Sequence, residues 1–546
     1  MLSSYNRDTI FNQYEERTFD LLVIGGGITG SGIALDAATR GLSVGLVEMQ
    51  DFASGTSSRS TKLIHGGLRY LKNLEIKMVA DVGKEREIVY ENGPHVTTPE
   101  WMILPFYQGG TFGPLMSNIG LLIYDFLARV KRSERRKMLS KEEVLKKVPL
   151  LKRDGLKGAG FYVEYKTDDA RLTIDVLKKA VEKGARAINY AKVIKLKYND
   201  TGKIIGAIIQ DQITGKKLTV HAKKIINATG PWVDTLRDLD NSKHEKTLLL
   251  SKGVHIVFSQ ELFPLEQAIY FDAPDGRMIF AIPRDDKVYV GTTDTKYEGS
   301  IAHPTVTQED KEYLLDIINY IFPKINLNME DVESSWAGLR PLIAEEGKSL
   351  GEISRKDEII ISNSNLISIA GGKLTGYRKM AEDVVDLVVS QLHQEEGIIY
   401  SDCTTRNLPI SGGEVGGSKG FIKFKQESLE KAKLLGINRS AAEKLIHRYG
   451  SNINTIFNIY QEKQNKFDVD DKELIVLAEL VYALEFELAY KPIDFFIRRT
   501  GALLFDIHWV KEHKDLVINY MAKKLNWTSE EKNIYYKELL TMLEEA

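Results

Sequence analysis

The chain has 546 residues, of which 43% are hydrophobic and 27% charged, and its formal net charge at pH 7 is −2. These values are typical of a folded protein of about three domains and exclude an intrinsically disordered chain. The near-zero charge gives no reason to expect a nucleic-acid partner, and the single cysteine, Cys403, excludes an internal disulfide and a cysteine-based zinc site. No metal site is expected.

Residues 1–20 lack the apolar segment of a secretory signal peptide. No run of about 18 uncharged apolar residues, the length needed to span a membrane, occurs in the sequence. The sequence therefore predicts a cytoplasmic protein, and this prediction leaves attachment to a membrane surface open.

The first structural motif is a strand, a glycine-rich turn and a helix. The apolar strand Leu21–Ile24 leads into Gly25, Gly27 and Gly30, which match the GxGxxG spacing of dinucleotide-binding proteins. The first glycine permits a tight turn, the second lets the backbone approach a pyrophosphate, and the third lets the helix pack on the strand. A second apolar strand ends at Glu48, whose carboxylate can accept hydrogen bonds from ribose hydroxyls. This α/β unit predicts a Rossmann-like nucleotide-binding domain.

Two later junctions between a strand and glycines indicate that the nucleotide is FAD. Residues 223–234 read KKIINATGPWVD, an apolar strand that ends at Thr229 and Gly230. This ending resembles the second nucleotide-contacting turn of FAD proteins of the glutathione-reductase type. Residues 366–377 read LISIAGGKLTGY, in which a strand breaks at a glycine pair and a helix begins near Thr375. This junction would direct the backbone N–H groups of Leu374 and Thr375 at the flavin or its ribityl chain.

The domain organisation follows from the wide separation of these junctions along the chain, which predicts a discontinuous FAD domain with a β-rich domain inserted into it. Residues 168–189 predict an amphipathic helix followed by a strand, residues 193–226 predict a β-meander, and the pattern beyond residue 400 is helical. The predicted domains are an FAD-binding domain of residues 1–90, 155–235 and 350–395, a β-rich substrate-binding cap of residues 91–154 and 236–349, and a helical domain of residues 400–546.

One stretch of the sequence has two interpretations. The apolar residues from Ile119 to Leu127 are followed by a strongly basic run that extends to Lys157. Such a segment can rest on an anionic lipid surface, but a core helix followed by a solvated basic loop has the same pattern. The sequence leaves both interpretations open. The basic run lacks interleaved aromatic side chains and so gives little support to RNA binding.

Six further motifs occur in the order found in one enzyme family: TSSRSTKLIHGGLRYL, NATGPWV, KGVHIV, IPRDDKVYVGTTDT, AGLRPL and GGKLTGYRKMAE. By these motifs the chain resembles the bacterial FAD-dependent glycerol-3-phosphate dehydrogenases over residues 19–385 and into the helical domain. The resemblance implies a D-amino-acid-oxidase-like fold with non-covalent FAD. It also implies oxidation of sn-glycerol 3-phosphate to dihydroxyacetone phosphate, with hydride transfer from C2 to flavin N5.

The same resemblance implies the partners of the enzyme. Electrons would pass to a membrane quinone, and the protein would be a homodimer attached peripherally to the inner face of the cell membrane. The related glycerophosphate oxidases carry an extra insertion that this sequence lacks. Its absence favours the dehydrogenase but does not decide between the two activities.

The resemblance assigns the chemistry to His255, Arg340 and Lys373. A neutral imidazole can accept a proton near pH 7, so His255 is the leading candidate for the general base. Arg340 would lie over the substrate oxygen and stabilise the developing alkoxide, and Lys373 would do the same or polarise the flavin. The sequence does not decide between His255 and Arg340 as the proton acceptor.

Substrate phosphate is expected to bind Arg69, Tyr70 and Arg355, since the planar guanidinium group forms paired hydrogen bonds with phosphate oxygens. Arg355 enters this set through its match to a family motif. The resemblance places further FAD contacts at Ser57, Ser58, Lys62, Leu63 and His65. Arg59 occupies a position that is small in some relatives, and the sequence leaves its role in doubt. A surface charge is the simplest interpretation.

Overall fold

The computed structural model describes residues 2–65, 76–110, 134–244, 246–344, 356–464 and 470–546. The three predicted phosphate ligands, Arg69, Tyr70 and Arg355, lie outside these ranges, as does the apolar stretch 119–127. The fold therefore does not test those four predictions.

The described residues form eighteen strands in two sheets. In chain order the strands are β1 (Thr18–Ile24), β2 (Val44–Val47), β3 (Leu63–Ile64), β4 (Thr97–Tyr107), β5 (Lys137–Leu139), β6 (Leu156–Thr167), β7 (Arg186–Ile188), β8 (Ala191–Tyr198), β9 (Ile204–Asp211), β10 (Lys217–Asn227), β11 (Leu248–Ser259), β12 (Ala268–Asp272), β13 (Met278–Arg284), β14 (Lys287–Gly291), β15 (Thr295–Lys296), β16 (Ser334–Ile343), β17 (Glu358–Ile361) and β18 (Ile367–Ala370).

The first sheet has the order β17-β18-β10-β1-β2-β7, and β8 and β9 extend from β10 as an antiparallel meander. The strands from β18 to β7 are parallel to one another. Parallel sheets are covered on both faces, which explains why β1 and β2 are continuous apolar runs. This sheet confirms the predicted Rossmann-like domain, and the strand at 186–188 and the β-meander are confirmed with it.

Helix Ile28–Thr39 connects β1 to β2 and is buried along most of its length. It packs between helices Asp169–Glu182 and Tyr377–Glu396. A Cβ atom on Gly32 would lie 3.0 Å from the Tyr377 ring, so a small residue is needed for this close packing. Among the described residues before 400, the α-helices are Arg7–Asn12, Ile28–Thr39, Ile76–Asn92, Lys141–Lys147, Asp169–Glu182, Val233–Leu239, Gln308–Ile321 and Tyr377–Glu396.

The second sheet has the order β15-β11-β14-β13-β12-β4-β6-β3, with β16 paired to β11 and β5 paired to β6. In this register His255 of β11 lies opposite Gly291 of β14 on one side and Trp336 of β16 on the other. The sheet therefore places a polar imidazole on a strand that is paired on both sides, and the two neighbouring strands determine its surroundings.

Two strands of the second sheet come from segments that the sequence assigned to the FAD domain. β6 lies in the range 155–235 but pairs with β4 along most of its length, and β3 lies in the range 1–90 but pairs with β6. This sheet therefore joins segments that the predicted domain boundaries separate. Strand pairing joins residues far apart in the chain, and a local hydrophobic pattern does not reveal the partner strand.

Beyond residue 400 the described residues are helical, as the sequence predicted. These helices bury an apolar core of their own, which contains Leu445, Phe457, Val481 and Met521. The α-helices of this region are Gly417–Leu434, Arg439–Tyr449, Ile453–Gln464, Asp471–Phe486, Ala502–Phe505, Ile507–Lys524 and Ser529–Glu545. Within the described ranges, none of the helices is both long and apolar enough to cross a bilayer.

Candidate active site

A cavity of about 570 Å³ lies against the second sheet, and the turn that follows β18 closes part of it. Residues of β11, β13 and β16 contribute to its wall, together with the loop on either side of β3. Six residues predicted from the sequence line this one cavity: His255, Arg340, Lys373, Leu63, His65 and Leu374. The fold thus brings together side chains that are distributed over most of the chain.

The glycine fingerprint has the geometry that its spacing predicts. Gly25 adopts a φ of +115°, and a Cβ atom there would lie 2.4 Å from the carbonyl oxygen of Ala228. A Cβ atom on Gly30 would lie 1.9 Å from the carbonyl oxygen of Gly25. Gly27 is the N-cap of helix Ile28–Thr39, and as a glycine it supplies no capping side chain. The result is a compact turn that offers backbone N–H groups to an anion.

The predicted second nucleotide-contacting turn lies beside the fingerprint. β1 and β10 are parallel neighbours, so Thr229 and Gly230 follow β10 at the same sheet edge as Gly25. The Thr229 hydroxyl donates a hydrogen bond to Asn227 Oδ1 at 2.7 Å, and Gly230 adopts a φ of +56°. This edge is the position at which open parallel sheets bind nucleotides.

Glu48 ends β2 next to the fingerprint. Its Oε2 accepts a hydrogen bond from the N–H of Gly26 at 2.7 Å, and its Oε1 accepts one from the N–H of Gln50 at 2.9 Å. Burial raises the pKa of Glu48, and these two N–H groups oppose that rise. Each carboxylate oxygen is therefore held in place and retains a lone pair for a ribose hydroxyl.

Ser57 and Ser58 lie at the start of the fingerprint helix, whereas Lys62 has a different role. Ser57 Oγ accepts a hydrogen bond from the N–H of Ile28 at 3.0 Å. Ser58 Oγ is buried and has no hydrogen-bond partner among the described residues. The buried Lys62 ammonium donates to Asp169 Oδ1 at 2.5 Å and to the Ser58 carbonyl at 3.0 Å. Through these two contacts it fixes the loop between Ser58 and β3.

Thr375 joins two predicted flavin-contacting segments. Its hydroxyl accepts a hydrogen bond from the N–H of His65 at 3.1 Å and donates one to the His65 carbonyl at 3.1 Å. Lys373 and Leu374 precede it at the cavity wall, after the two glycines that end β18. The loop after β3 and the turn after β18 are therefore held as one surface.

His255 is 1% exposed, and its ring lies nearly parallel to the indole of Trp336, with ring centroids 4.7 Å apart and planes inclined by 10°. Its Nε2 is 3.0 Å from Thr61 Oγ1, within hydrogen-bonding distance. A Cβ atom on Gly291 would lie 2.3 Å from His255 Cδ2, so the glycine makes room for the imidazole. Burial, and then the positive charges of Arg340 and Lys62, hold the pKa of His255 well below its usual value. The imidazole is therefore neutral near pH 7.

Arg340 enters the cavity from β16. Its Nη1 donates to the carbonyl of Thr293 at 3.1 Å, and its Nη2 donates to the hydroxyl of Thr292 at 2.8 Å. Asp294 Oδ1 lies 3.5 Å from Nη1. The guanidinium is thus fixed by the segment that follows β14, and it adds a permanent positive charge close to His255.

Several site residues were not identified from the sequence. Arg59 was interpreted as a surface charge, but it lines the cavity, and burial followed by the nearby Arg498 lowers its pKa to about 10. Thr61 and Trp336 contact His255 directly. The sequence could have indicated Trp336 as a neighbour of the site. It lies four residues before Arg340 in one strand, so the two side chains share a face of the sheet. The aromatic wall formed by Tyr270 and Phe280, with ring centroids 4.1 Å apart, gave no local signal.

The residues around the fingerprint fit FAD. The glycine cradle would be filled by any Cβ atom, Ser58 Oγ is a buried hydroxyl without a partner among the described residues, and Glu48 is positioned to bind ribose. The adjoining cavity extends from Leu63 and Leu374 to His255, which leaves room for a second molecule beside a flavin. The arrangement suits a redox reaction between FAD and a small anionic substrate.

Two family models cover most of the chain. Residues 20–378 match the model described as FAD dependent oxidoreductase. Residues 403–532 match the model described as the C-terminal domain of alpha-glycerophosphate oxidase. The first match spans the FAD fingerprint and the cavity, and the second spans most of the helical region.

Curated relatives match over the full length. The aerobic glycerol-3-phosphate dehydrogenase of Bacillus subtilis is 56% identical over 544 residues, which cover 100% of this chain and 98% of the relative. The protein of the same name from Staphylococcus haemolyticus is 55% identical over 546 residues, with the same coverage.

Solved structures have the same fold. The glycerol-3-phosphate dehydrogenase from Bacillus halodurans, solved in complex with FAD, has a TM-score of 0.86 and 48% identity, and the match covers 100% of this chain and 98% of that one. The L-alpha-glycerophosphate oxidase from Mycoplasma pneumoniae has a TM-score of 0.56 and 18% identity, and the match covers 72% of this chain and 98% of that one. This second likeness concerns the fold alone.

Proposed function

The chain belongs to the FAD-dependent oxidoreductases and, within them, to the aerobic glycerol-3-phosphate dehydrogenases, and from that premise we propose that it oxidises sn-glycerol 3-phosphate to dihydroxyacetone phosphate with non-covalent FAD. One observation carries the proposal. His255, Arg340 and Lys373 line one cavity that adjoins a complete FAD fingerprint. A neutral acceptor beside fixed cations is the environment that oxidation of a secondary alcohol requires.

FAD, when bound, would accept the hydride from C2 of the substrate at N5. The protein has to remove the proton of the C2 hydroxyl and to stabilise the charge that develops on oxygen. We assign proton removal to His255, because it is neutral and buried and its Nε2 is oriented by Thr61. Arg340 is charged at every working pH, so it suits the electrostatic role better than the role of base.

Lys373 would add a second positive charge from the turn after β18. The family resemblance assigns the substrate phosphate to Arg69, Tyr70 and Arg355, and this assignment remains part of the proposal. Cofactor contacts are proposed for the fingerprint glycines, Glu48, Ser57 and Ser58, and for the backbone around Lys62, Leu63, His65, Thr229, Gly230, Leu374 and Thr375. In this proposal the substrate lies between its phosphate ligands, Arg69, Tyr70 and Arg355, and the imidazole of His255.

Anaerobic titration tests the activity directly. The purified holoprotein should lose its flavin absorbance band on addition of sn-glycerol 3-phosphate, and glycerol at the same concentration should leave the band unchanged. The comparison isolates the contribution of the phosphate, since the two compounds share the C2 alcohol. Failure to bleach with saturating sn-glycerol 3-phosphate, in protein that dithionite does reduce, would refute the proposal.

The electron acceptor and the location are proposed from the family. We assign the reoxidation step to a membrane quinone, and we infer a homodimer attached to the inner face of the cell membrane. A short-chain quinone should reoxidise the substrate-reduced enzyme under anaerobic conditions. Sedimentation with anionic vesicles tests membrane attachment, and light scattering tests the dimer.

A glycerophosphate oxidase is the second candidate, because the matching model of the helical region carries an oxidase name. An oxidase would form hydrogen peroxide in air at a rate close to that of flavin reduction. A dehydrogenase would form peroxide far more slowly than it reduces a quinone. Measurement of both rates on one preparation decides between the two.

A further inference from the structure

The helical domain reaches the second sheet close to His255. The short helix Ala502–Phe505 lies against β16, where Ser334 Oγ donates a hydrogen bond to the Leu504 carbonyl at 2.5 Å. Leu504 is 7% exposed and belongs to an apolar cluster that includes Trp336 and Tyr289. Contact between the two domains is thus formed by a hydrogen bond and buried apolar surface together.

Phe505 completes a set of aromatic rings around the imidazole. The ring of Phe505 meets the indole of Trp336 edge-on, with centroids 5.5 Å apart and planes inclined by 66°. Trp336 in turn stacks on His255, with ring centroids 4.7 Å apart. Tyr289 contacts all three, at centroid distances of 6.3 Å from His255, 5.7 Å from Trp336 and 5.7 Å from Phe505.

The same rings are linked to the hydrogen-bond partner of the imidazole. The Tyr289 hydroxyl donates to the Thr61 carbonyl at 3.1 Å, and Thr61 Oγ1 lies 3.0 Å from His255 Nε2. The Trp336 N–H donates to the Ser60 carbonyl at 3.3 Å. Movement of either large ring would therefore displace the loop that orients His255.

Phe505 is itself held from outside the helical domain. The guanidinium carbon of Arg284 lies 4.3 Å from the centre of its ring, and Arg284 Nη2 forms an ion pair with Asp168 Oδ2 at 3.1 Å. A cation over an aromatic face favours a fixed ring position. Phe505 is thus enclosed between Arg284 on one side and Trp336 on another.

We propose that Phe505 is a positioning residue for His255 that acts through Trp336, so that the helical domain forms part of the active-site support. Replacement of a large ring by a small side chain leaves a void that its neighbours fill only in part. Trp336 would then lose the restraint on one edge, and the imidazole stacked on it would lose its fixed orientation. Displacement of a reacting group by about 1 Å can cost on the order of 100-fold in rate. This inference rests on the role proposed for His255.

The experiment compares Phe505→Ala, Phe505→Leu and Phe505→Tyr with a matched control in the full-length holoprotein. The control is Phe424→Ala, since Phe424 is also half-buried in the helical domain but stacks on Phe421 with centroids 6.3 Å apart. We expect Phe505→Ala to slow the limiting rate of anaerobic flavin reduction about tenfold. The substrate concentration at half-saturation should change less than about twofold, because the proposed phosphate ligands are other residues.

A second readout does not depend on substrate. Diethyl pyrocarbonate modifies accessible imidazoles, and the adduct on His255 can be followed by peptide mass spectrometry. His255 is shielded in the native protein, so Phe505→Ala should speed its modification at least several-fold, while Phe505→Tyr should match the wild type. Phe505→Leu keeps most of the volume and replaces Phe505→Ala if the alanine variant does not fold.

The outcomes separate this inference from the proposed function. Unchanged reduction rate and unchanged His255 reactivity in a folded Phe505→Ala protein would overturn the positioning role. An equal loss in Phe424→Ala would also overturn it, because general loosening of the helical domain would then explain the result. If the wild-type flavin is not reduced by sn-glycerol 3-phosphate, the proposed function fails, and the His255 reactivities still decide the positioning role.

Discussion

Gly253 faces the guanidinium of Arg340 so closely that a Cβ atom built on the glycine would lie 2.4 Å from Nη2. The same Cβ atom would lie 2.4 Å from the Thr292 hydroxyl that accepts a hydrogen bond from Nη2. Gly253 and Gly338 are cross-strand partners in β11 and β16. The absence of a side chain at Gly253 leaves the space that the guanidinium occupies. The position of the Arg340 guanidinium therefore depends on a residue that carries no functional group.

We expect Gly253→Ala to displace Arg340 from the Thr292 hydroxyl. The guanidinium is the flexible end of its side chain, so the fold should accommodate the methyl group while the charge leaves its position over the substrate. Anaerobic flavin reduction by sn-glycerol 3-phosphate should slow by at least about tenfold. Complete loss of one preorganised donor costs about 100- to 1,000-fold, and here the donor is displaced and not removed. FAD content and melting temperature should remain close to wild type, and a rate within twofold of wild type would contradict the role given to Arg340.

The parts of this site that could be predicted are those formed by residues close together in the sequence. The fingerprint glycines, Glu48 and the turn at Thr229 could be found from the sequence, because strand, turn and helix are adjacent in the chain. His255 and Arg340 required the family resemblance, since neither residue has a local signal of function.

The surroundings of His255 could not be found in this way. Trp336 and Thr61 become its neighbours only when β16 pairs with β11 and the loop before β3 folds under the sheet. Arg59 was misinterpreted for the same reason, because a cation in a polar run has the same local pattern whether it faces solvent or a cavity. These contacts are set by long-range pairing and not by local propensity.

The neutral state of His255 should be visible in protein stability. Its pKa in the folded protein is well below the usual value, first because of burial and then because of Arg340 and Lys62. In the unfolded chain the imidazole titrates near pH 6.5, so below that pH the unfolded state binds the extra proton and gains stability relative to the folded state. His255→Gln removes this group.

The melting temperature of the wild type should therefore fall more steeply than that of His255→Gln between pH 7.5 and pH 5. Differential scanning calorimetry in matched buffers measures both slopes, and the difference between the two proteins removes the contribution of the other histidines. Parallel slopes would show that His255 does not have the lowered pKa that keeps its imidazole neutral in the folded protein. The variant should also lose most of its substrate-dependent flavin reduction.

Glu48→Gln tests the ribose contact. The carboxylate now accepts one N–H from Gly26 and one from Gln50, and an amide in its place would direct an NH₂ group at one of these donors. One hydrogen bond would be lost and one acceptor for a ribose hydroxyl removed, at a cost of about 1–3 kcal/mol. The dissociation constant for FAD, measured by flavin fluorescence after removal and readdition of the cofactor, should rise about 5- to 150-fold. Glu261→Gln, at an exposed turn, serves as the control and should bind FAD like the wild type.

Asp51 connects the FAD site to the helical domain. Its carboxylate accepts hydrogen bonds from Arg498 Nε at 2.5 Å, from Arg499 Nη1 at 2.7 Å and Nη2 at 2.9 Å, and from Asn189 Nδ2 at 2.9 Å. Burial alone would raise the pKa of Asp51, but Arg499 and Arg498 lower it to about 2. The stability that this network supplies is therefore present above about pH 4 and is lost as the pH falls towards 2.

Asp51→Asn should destabilise the protein by about 3–5 kcal/mol, because it leaves buried guanidinium groups without their compensating charge. Glu427→Gln is the matched control, because it removes a carboxylate from an exposed ion pair. The side chains of Glu427 and Lys423 are 60% and 82% exposed. Loss of this pair should cost less than about 1 kcal/mol. Urea unfolding followed by helical circular dichroism compares the two midpoints at equal m-value.

The loop that begins at Glu48 and continues to Ser57 passes through Asp51, so the affinity for FAD should fall together with stability only in Asp51→Asn. Loss of stability with unchanged FAD affinity would mean that the helical domain docks on this loop without shaping the cofactor site.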